Sequence, residues 1–307
     1  MKIFVDTANL SEIKETISWG VVDGVTTNPS LIRAAVEEEI RIGKEVNLED
    51  YVGEICKAVG RGKPVSLEVL SQDAGKMVEE AKILYKRFNP IAGNVVIKIP
   101  INTCTGRGAT DYEGLKAINE LSGKGIPINV TLVMTPEQAL LAAKAGGTYV
   151  SPFAGRVDDY LRKNLGIDFK KNDYFDFELI GEISNARLGE YLKNSAAKEI
   201  PSLYSDEKTR KAIDVGDNRG ITSGVDLVRK IVNIFRKYNI KTEVIAASMR
   251  SPQQVREVAE TGCDIATVPF EVIQEMLRHP KTEEGVKKFY ADAIQTKYEE
   301  LFTKGER

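Results

Sequence analysis

Eight short apolar runs rich in β-branched residues alternate with stretches whose apolar residues recur at helical spacing. This alternation limits the fold more than any other feature, because alternating strands and helices build a parallel sheet and eight such units close it into a barrel. The predicted strands are Lys2–Thr7, Gly24–Asn28, Pro64–Val69, Val95–Pro100, Pro127–Val133, Thr148–Phe153, Glu243–Ser248 and Ile265–Phe270. The clearest predicted helices are Leu48–Val59, Asp73–Phe88, Pro136–Ala145, Val225–Tyr238 and Pro252–Glu260. The sequence therefore predicts an α/β fold of the (β/α)8 TIM-barrel type.

A doubly wound sheet is the alternative arrangement for this pattern. A dinucleotide-binding version would carry G-x-G-x-x-G after its first strand, and the sequence has no such motif there. With 307 residues the chain is long enough for one large barrel or for two modest domains. We expect a single barrel domain over residues 1–307.

The connection after the sixth strand is far longer than an ordinary βα loop. Nearly seventy residues separate Phe153 from the helix predicted to begin near Thr222. Seven of the chain's 22 aromatic residues fall within 160–219, which gives this segment enough apolar content to fold. We predict an inserted helical subregion at 160–219, with one or two helices at Phe175–Asn194. Since it enters at the active-site face, it is expected to form a lid, narrow the substrate site, rebuild a subunit interface or be a peripheral decoration.

Two further segments lie outside the regular units. A smaller insertion, Thr103–Tyr112, follows the fourth strand, and its Arg107 is expected either to contact a phosphate or to lie exposed. Beyond the eighth unit, Thr282–Phe302 is predicted as an extra C-terminal helix. Its apolar stripe has to be buried against the barrel or against a neighbouring subunit. The stripe comprises Val286, Phe289, Tyr290, Ile294 and Tyr298.

Composition excludes several classes of protein. Lys and Arg number 43 against 45 Asp and Glu, so the net charge of −2 offers no electrostatic basis for binding nucleic acid or a membrane. The sequence begins directly with a predicted strand and has no membrane-spanning run, so a cytoplasmic location is expected. Three widely separated cysteines favour neither a disulfide framework nor a zinc site. The single histidine, His279, is expected to be structural or to cap a helix C-terminus, and neither metal nor cofactor is expected.

One lysine occupies an unusual position for a charged side chain. Lys98 lies in the apolar run Val95-Val96-Ile97-Lys98-Ile99-Pro100, which is typical of a buried parallel strand. Burial disfavours the charged form of an amine, and a neutral amine can attack a carbonyl to form a Schiff base. The ordinary alternative is a lysine near the end of a strand whose ammonium reaches water.

Polar residues are concentrated where the predicted strands end. In a barrel of this kind the carboxyl ends of the strands meet at one mouth, where active sites are built. Structural polar residues would be scattered over strand starts and helices as well, so the concentration favours a functional site that includes Lys98. The residues at or just after strand ends are Asp6, Asn28, Glu68, Lys98, Ser151, Arg156, Ser248 and Arg250, and the fifth strand carries Asn129 and Thr131.

Five segments in collinear order resemble the transaldolase family, most closely the small single-barrel transaldolases and the related fructose-6-phosphate aldolases. The resemblance covers most of the chain apart from the two insertions. The segments are Phe4-Val5-Asp6-Thr7, Gly24-Val25-Thr26-Thr27-Asn28-Pro29-Ser30, Val96-Ile97-Lys98-Ile99-Pro100, Val150-Ser151-Pro152-Phe153-Ala154-Gly155-Arg156 and Val244-Ile245-Ala246-Ala247-Ser248-Met249-Arg250.

The resemblance implies a role for each matching residue. Lys98 would be the Schiff-base nucleophile, and Asp6 would exchange the hydroxyl proton as the carbon–carbon bond breaks. Glu68 and Thr131 would hold the water that mediates proton transfers. The implied substrate-binding residues are Asn28, Asn129, Ser151 and Phe153 around the sugar, with Arg156, Ser248 and Arg250 around its phosphate.

Some of these residues also have ordinary structural interpretations. Asn28 would cap the helix that Pro29 begins, and Ser248 would cap the helix that starts at Pro252. Arg156 would pair with Asp158 or Asp159, two residues that we otherwise interpret as solvated loop positions.

Two positions distinguish the activities within the family that the chain resembles. Transaldolases typically carry glutamate at the water-holding position and phenylalanine after Ser-Pro, whereas the aldolases carry glutamine and tyrosine. Glu68 and Phe153 favour a transaldolase, a homo-oligomeric enzyme of the pentose phosphate pathway. It would move a dihydroxyacetone unit from fructose 6-phosphate or sedoheptulose 7-phosphate to an aldose phosphate.

Three alternatives remain open from the sequence. A fructose-6-phosphate aldolase would release free dihydroxyacetone, and a deoxyribose-phosphate aldolase would be another Schiff-base lyase. A non-catalytic barrel that binds a partner is the most distant alternative.

Overall fold

Eight parallel strands close into a barrel in the computed structural model of this chain, which describes residues 1–106, 111–174, 177–194, 201, 205–213, 215–298 and 300–303. The strands follow one another around the barrel in sequence order, and the eighth pairs with the first. The predicted (β/α)8 barrel is therefore confirmed. The strands are β1 (Lys2–Asp6), β2 (Gly24–Thr26), β3 (Val65–Glu68), β4 (Val95–Pro100), β5 (Ile128–Val133), β6 (Tyr149–Pro152), β7 (Glu243–Ala246) and β8 (Ile265–Val268).

Fourteen helices lie within the described residues, and none of them is both long and apolar enough to span a bilayer. Those that follow the first five strands are α1 (Leu10–Ser18), α2 (Pro29–Arg41), α3 (Leu48–Val59), α4 (Ala74–Ala92), α5 (Glu113–Ser122) and α6 (Pro136–Lys144). Between β6 and β7 lie α7 (Ala154–Asn164), α8 (Phe177–Asn194), α9 (Glu207–Ile213) and α10 (Gly224–Lys237). The last four are α11 (Pro252–Glu260), α12 (Phe270–Glu275), α13 (Pro280–Gln295) and α14 (Glu300–Thr303).

Several predicted strands extend one or two residues past the observed ends. The seventh ends at Ala246 instead of Ser248, because Ser248 has a left-handed φ of 65° that no regular strand accommodates. Helix α11 therefore takes its cap from Ser251, whose side chain accepts a hydrogen bond from the Gln254 backbone, and the prediction that Ser248 caps this helix is wrong. His279 caps the N-terminus of α13 by accepting from the Lys281 backbone at 3.1 Å, so its expected C-capping role is also wrong.

The barrel interior is apolar near the N-terminal ends of the strands and polar near their C-terminal ends, which form the mouth. Phe4, Ile245 and Ile265 form a small buried cluster inside the barrel. Gly24 makes room for the ring of Phe4, since a Cβ on Gly24 would lie 2.8 Å from the ring carbons. Successive side chains alternate between the two faces of a strand, so the residue two positions after Phe4 also points inward. That residue is Asp6, the first member of a polar layer at the mouth.

The apolar stripe of the C-terminal helix is not buried on this chain. Val286, Phe289 and Tyr290 on α13 are exposed to 63%, 73% and 70%. Ile294 and Tyr298 are also exposed. The expectation that this helix covers its own barrel is therefore wrong, and burial against a neighbouring subunit stays a prediction.

Candidate active site

Lys98 points into the barrel and does not reach solvent. Its residue is only 5% exposed on β4, and its Nζ donates to the Thr27 carbonyl oxygen at 2.8 Å. Glu68 is the Cα partner of Lys98 on β3, and its Oε2 lies 3.1 Å from Nζ. The surface interpretation of Lys98 is therefore wrong. A carboxylate beside a buried amine is the kind of adjacent base that activates an amine nucleophile.

Asp6 stands at the mouth on β1, on the same inward-facing side as Lys98. Its Oδ1 accepts a hydrogen bond from Thr26 Oγ1 at 2.7 Å, and Thr26 is hydrogen-bonded in turn to Thr267. Burial raises the pKa of Asp6 above its usual value. The Thr26 hydrogen bond and the nearby charges of Lys98, Lys171 and Arg156 offset part of that increase. A carboxyl group with a raised pKa exchanges protons more readily near neutral pH.

Three polar side chains beside Lys98 link β3, β5 and β6 through hydrogen bonds inside the barrel. Ser151 Oγ donates to Asn129 Oδ1 at 2.6 Å, and Asn129 Nδ2 donates to Ser66 Oγ at 3.2 Å. Thr131 lies two residues beyond Asn129 on β5, and its buried Oγ1 has no hydrogen-bond partner among the described residues. Buried hydroxyls without a protein partner are normally satisfied by an ordered water, so this position suits a water-holding group.

Asn28 serves two purposes at once. Its Oδ1 accepts from the Leu31 backbone at 3.0 Å and caps α2, which Pro29 begins. The same side chain also lines the cleft at the barrel mouth. The structural and the functional interpretations of Asn28 are therefore compatible.

The cleft has a volume of about 300 Å³, at the lower end of the range for small-molecule sites. The predicted residues Asp6, Asn28, Lys98, Asn129, Ser151, Phe153, Arg156, Ser248 and Arg250 all line it. Glu68 and Thr131 do not line it, and Glu68 contacts the site through Lys98. We call Asp6, Glu68 and Lys98 the lysine end of the cleft, and Arg156, Lys171 and Arg250 the arginine end.

Arg250 is the most constrained residue of the arginine end. It is 8% exposed, and its Nη2 donates to Asp159 Oδ2 at 2.5 Å. Its buried Nε packs against Gly155 and has no hydrogen-bond partner among the described residues. Arg156 is exposed, and its guanidinium lies 4.9 Å above the centre of the Phe153 ring.

A close backbone approach holds the arginine end together. A Cβ on Gly155 would lie 1.9 Å from the Ser248 carbonyl oxygen and 2.6 Å from Arg250 Nε. Only a residue without a side chain lets the first turn of α7 pack this tightly against the loop after β7. Gly155 therefore brings Arg156 and Arg250 to the same side of the cleft.

The interpretation of Asp158 and Asp159 as solvated loop residues is wrong, because both lie on α7 beneath the cleft. Asp158 is 1% exposed and accepts hydrogen bonds from the Gly224 backbone at 2.7 Å and from Gln254 Nε2 at 2.6 Å. Burial raises the pKa of Asp158 to about 7. Asp159 joins Arg250 to Arg162, whose Nη2 lies 2.8 Å from Asp159 Oδ1. Neither aspartate pairs with Arg156 among the described ion pairs.

Sequence reasoning missed several residues of the cleft. Thr26 lies two positions before Asn28, and Thr267 lies two positions after the inward-facing Ile265, so strand alternation could have identified both. Lys171 comes from the 160–219 insertion, and no pattern in the sequence points to it. Arg107 lies outside the described residues. Among those residues, no cluster of three or more His, Cys, Asp or Glu side chains is arranged to hold a metal ion.

One family model and several curated proteins are similar to this chain over most of its length. A family model described as transaldolase/fructose-6-phosphate aldolase matches residues 3–188 and 199–306. A probable transaldolase of Caldicellulosiruptor saccharolyticus is 42% identical over 293 residues, covering 95% of this chain and 96% of the relative. Probable transaldolases of Clostridium tetani and Methanococcus maripaludis are each 40% identical over 292 residues, covering 95% of this chain and 97% of each relative.

Proposed function

The chain belongs to the transaldolase/fructose-6-phosphate aldolase family, and on that premise we propose that it is a transaldolase. In this proposal it transfers a dihydroxyacetone unit from a ketose phosphate to an aldose phosphate through a Schiff base on Lys98. One observation carries the proposal: the buried Lys98 Nζ lies 3.1 Å from Glu68 and faces the same cleft as Asp6. A nucleophile, its proton acceptor and a second acid/base group are thereby available to one substrate.

The first step forms the imine. Lys98 gives a proton to Glu68, directly or through a water held with Thr131, and its amine attacks the C2 carbonyl of the ketose. The carbinolamine then takes the proton back from Glu68 on its hydroxyl oxygen and loses water. The 3.1 Å separation of Nζ and Oε2 supports this exchange.

The second step breaks the bond between C3 and C4. Asp6 accepts the proton of the C4 hydroxyl, the electrons of the broken bond move into the iminium, and an aldehyde departs from the enamine left on Lys98. When the enamine attacks an acceptor aldehyde, Asp6 returns the proton to the new hydroxyl oxygen. The raised pKa of Asp6 suits a group that must work in both directions.

Two residues support transfer over release. Release of free dihydroxyacetone requires that the enamine be protonated at carbon before an acceptor arrives. Phe153, which lines the cleft, has no hydroxyl group that could supply or relay that proton. Glu68 is engaged with Lys98, so it serves the imine nitrogen.

The proposal includes a cytoplasmic location and a homo-oligomeric state. A cytoplasmic location is supported by three free cysteines, of which Cys56 and Cys263 are buried. Burial raises the pKa of these two thiols to about 11 and about 12, which keeps them unreactive. A homo-oligomer is supported by the apolar stripe of α13, whose side chains stay exposed among the described residues.

Borohydride trapping tests the proposed function. Incubation with fructose 6-phosphate and borohydride should leave a reduced three-carbon adduct on the peptide that contains Lys98. Lys98→Met should leave no adduct and should lower turnover on the order of 10⁴-fold or more, because no imine forms. Lys63→Met is a matched control, since Lys63 Nζ also donates to a backbone carbonyl but lies outside the cleft.

The outcomes separate the candidate functions. Sedoheptulose 7-phosphate formed on addition of erythrose 4-phosphate would support the transaldolase, whereas free dihydroxyacetone that accumulates regardless of acceptor would identify the aldolase. A folded wild-type protein that gives no adduct would contradict Schiff-base catalysis altogether.

A further inference from the structure

Lys171 is the one residue of the 160–219 insertion, among the described residues, whose side chain lines the cleft. It lies in the wall of the cleft with Arg156 and Arg250. No hydrogen bond or ion pair of Lys171 occurs among the described residues, and its charge acts on Asp6 across the cleft. An unpaired cation in the wall of a site that already holds two arginines is available to a ligand.

The backbone on both sides of Lys171 is anchored to the barrel. The Arg162 guanidinium lies 3.9 Å from the centre of the Phe169 ring and donates to the Asp173 carbonyl oxygen. Asp173 closes the turn by accepting from the Lys170 backbone at 2.7 Å. The Tyr174 hydroxyl donates to Glu257 on α11. Lys171 is therefore held in place by contacts before and after it in sequence.

The same carboxylate serves the insertion and the arginine end. Asp159 Oδ1 lies 2.8 Å from Arg162, which anchors the insertion, and Asp159 Oδ2 lies 2.5 Å from Arg250. Arg250 thus shares its charge with a carboxylate, whereas Arg156 and Lys171 have no carboxylate partner among the described ion pairs. Two unpaired cations match the nearly two negative charges that a phosphate monoester carries at neutral pH.

We propose that Lys171 is a specificity-determining residue that binds the phosphate group of the sugar substrate. The proposal rests on the proposed function for the identity of the substrate, and it adds the insertion to the machinery that recognises phosphate. Lys171 is expected to act mainly on KM, because its contact with the phosphate is the same before and after the carbon–carbon bond breaks.

Lys171→Met tests the proposal, with Lys170→Met as the matched control, since Lys170 has the same charge on the same turn but does not line the cleft. Lys171→Met should raise the KM for fructose 6-phosphate about fivefold, as expected for one exposed charge. It should weaken inorganic phosphate binding, measured by titration calorimetry, by a similar factor. Lys171→Arg should restore both values, and Lys170→Met should leave both unchanged.

One further measurement separates this proposal from the proposed function. Borohydride trapping with dihydroxyacetone, which carries no phosphate, should be equal in wild type and Lys171→Met. If the wild type traps no adduct, the transaldolase proposal fails, while the calorimetric comparison still reports on Lys171. Equal phosphate affinity in wild type and Lys171→Met would overturn the role of Lys171, and so would an equal loss in Lys170→Met.

Discussion

The lysine end and the arginine end of the cleft differ in what holds their side chains. Asp6, Glu68 and Lys98 stand on strands of the barrel, where backbone pairing fixes their positions. Arg156, Lys171 and Arg250 stand on a helix, an insertion and a loop, and the last two are linked through Asp159 and Arg162. Under the proposed function, the difference predicts that bond chemistry and phosphate recognition are separable, so a change at either end should have its own kinetic signature.

After the loss of Lys98 itself, the largest effect should come from Asp6→Asn at the lysine end. The amide cannot accept the C4 hydroxyl proton, so turnover should fall about 10²- to 10³-fold, as for the loss of a general base. Trapping of dihydroxyacetone on Lys98 should persist, because imine formation does not use Asp6. Steady-state kinetics and adduct mass measure the two effects, and a folded variant that loses both equally would contradict the assigned division of roles.

An intermediate effect is expected from Asp159→Asn at the arginine end. Without the carboxylate, Arg250 and Arg162 lose their common partner, and the KM for fructose 6-phosphate should rise about tenfold. Turnover at saturation should change much less. Asp168→Asn removes the same charge from an exposed position of the insertion and should leave KM unchanged.

If Asp159→Asn instead lowered turnover and left KM unaltered, the separation between the two ends would fail. The same variant should trap dihydroxyacetone as well as the wild type does, since this ligand carries no phosphate.

The smallest effect on rate should come from Thr26→Val. This variant tests the lysine end through the pH dependence of kcat/KM. Burial raises the pKa of Asp6, and the Thr26 hydrogen bond opposes that increase. Activity requires the ionised carboxylate, so it should be lost as pH falls through this raised pKa. Removing the hydroxyl should move this acidic limb of the kcat/KM profile to higher pH and change the plateau less than about threefold. An unmoved limb would show that another group controls it.

The lysine end could be predicted from sequence because a strand imposes strict alternation of its side chains. Once β4 is recognised, Lys98 must point inward together with its register partners Glu68 and Asn129. The same rule applies to Thr26 and Thr267, which were missed because a lone threonine in a strand gives no chemical signal.

The arrangement of the arginine end could not be predicted from sequence, because it depends on contacts between segments that are far apart in the chain. Asp158 and Asp159 come three and four positions after Gly155, in a stretch whose sequence is typical of a polar loop. In the structure α7 begins at Ala154 and packs against the loop after β7. Lys171 lies in a charged stretch like many surface lysines. Its position depends on Arg162, Phe169 and Asp173, and no periodicity encodes such a set of contacts.

If the arginine end binds phosphate as proposed, Asp159 couples phosphate binding to the position of the insertion. Its two oxygens hold Arg162 and Arg250, so a ligand that favours one arrangement of Arg250 also favours the matching arrangement of the insertion. Thermodynamic linkage then requires equal coupling in both directions. The factor by which docking of the insertion raises phosphate affinity equals the factor by which bound phosphate raises the equilibrium constant for docking. Under this proposal, substitutions in the insertion are expected to change substrate affinity without any change to the residues that make and break bonds.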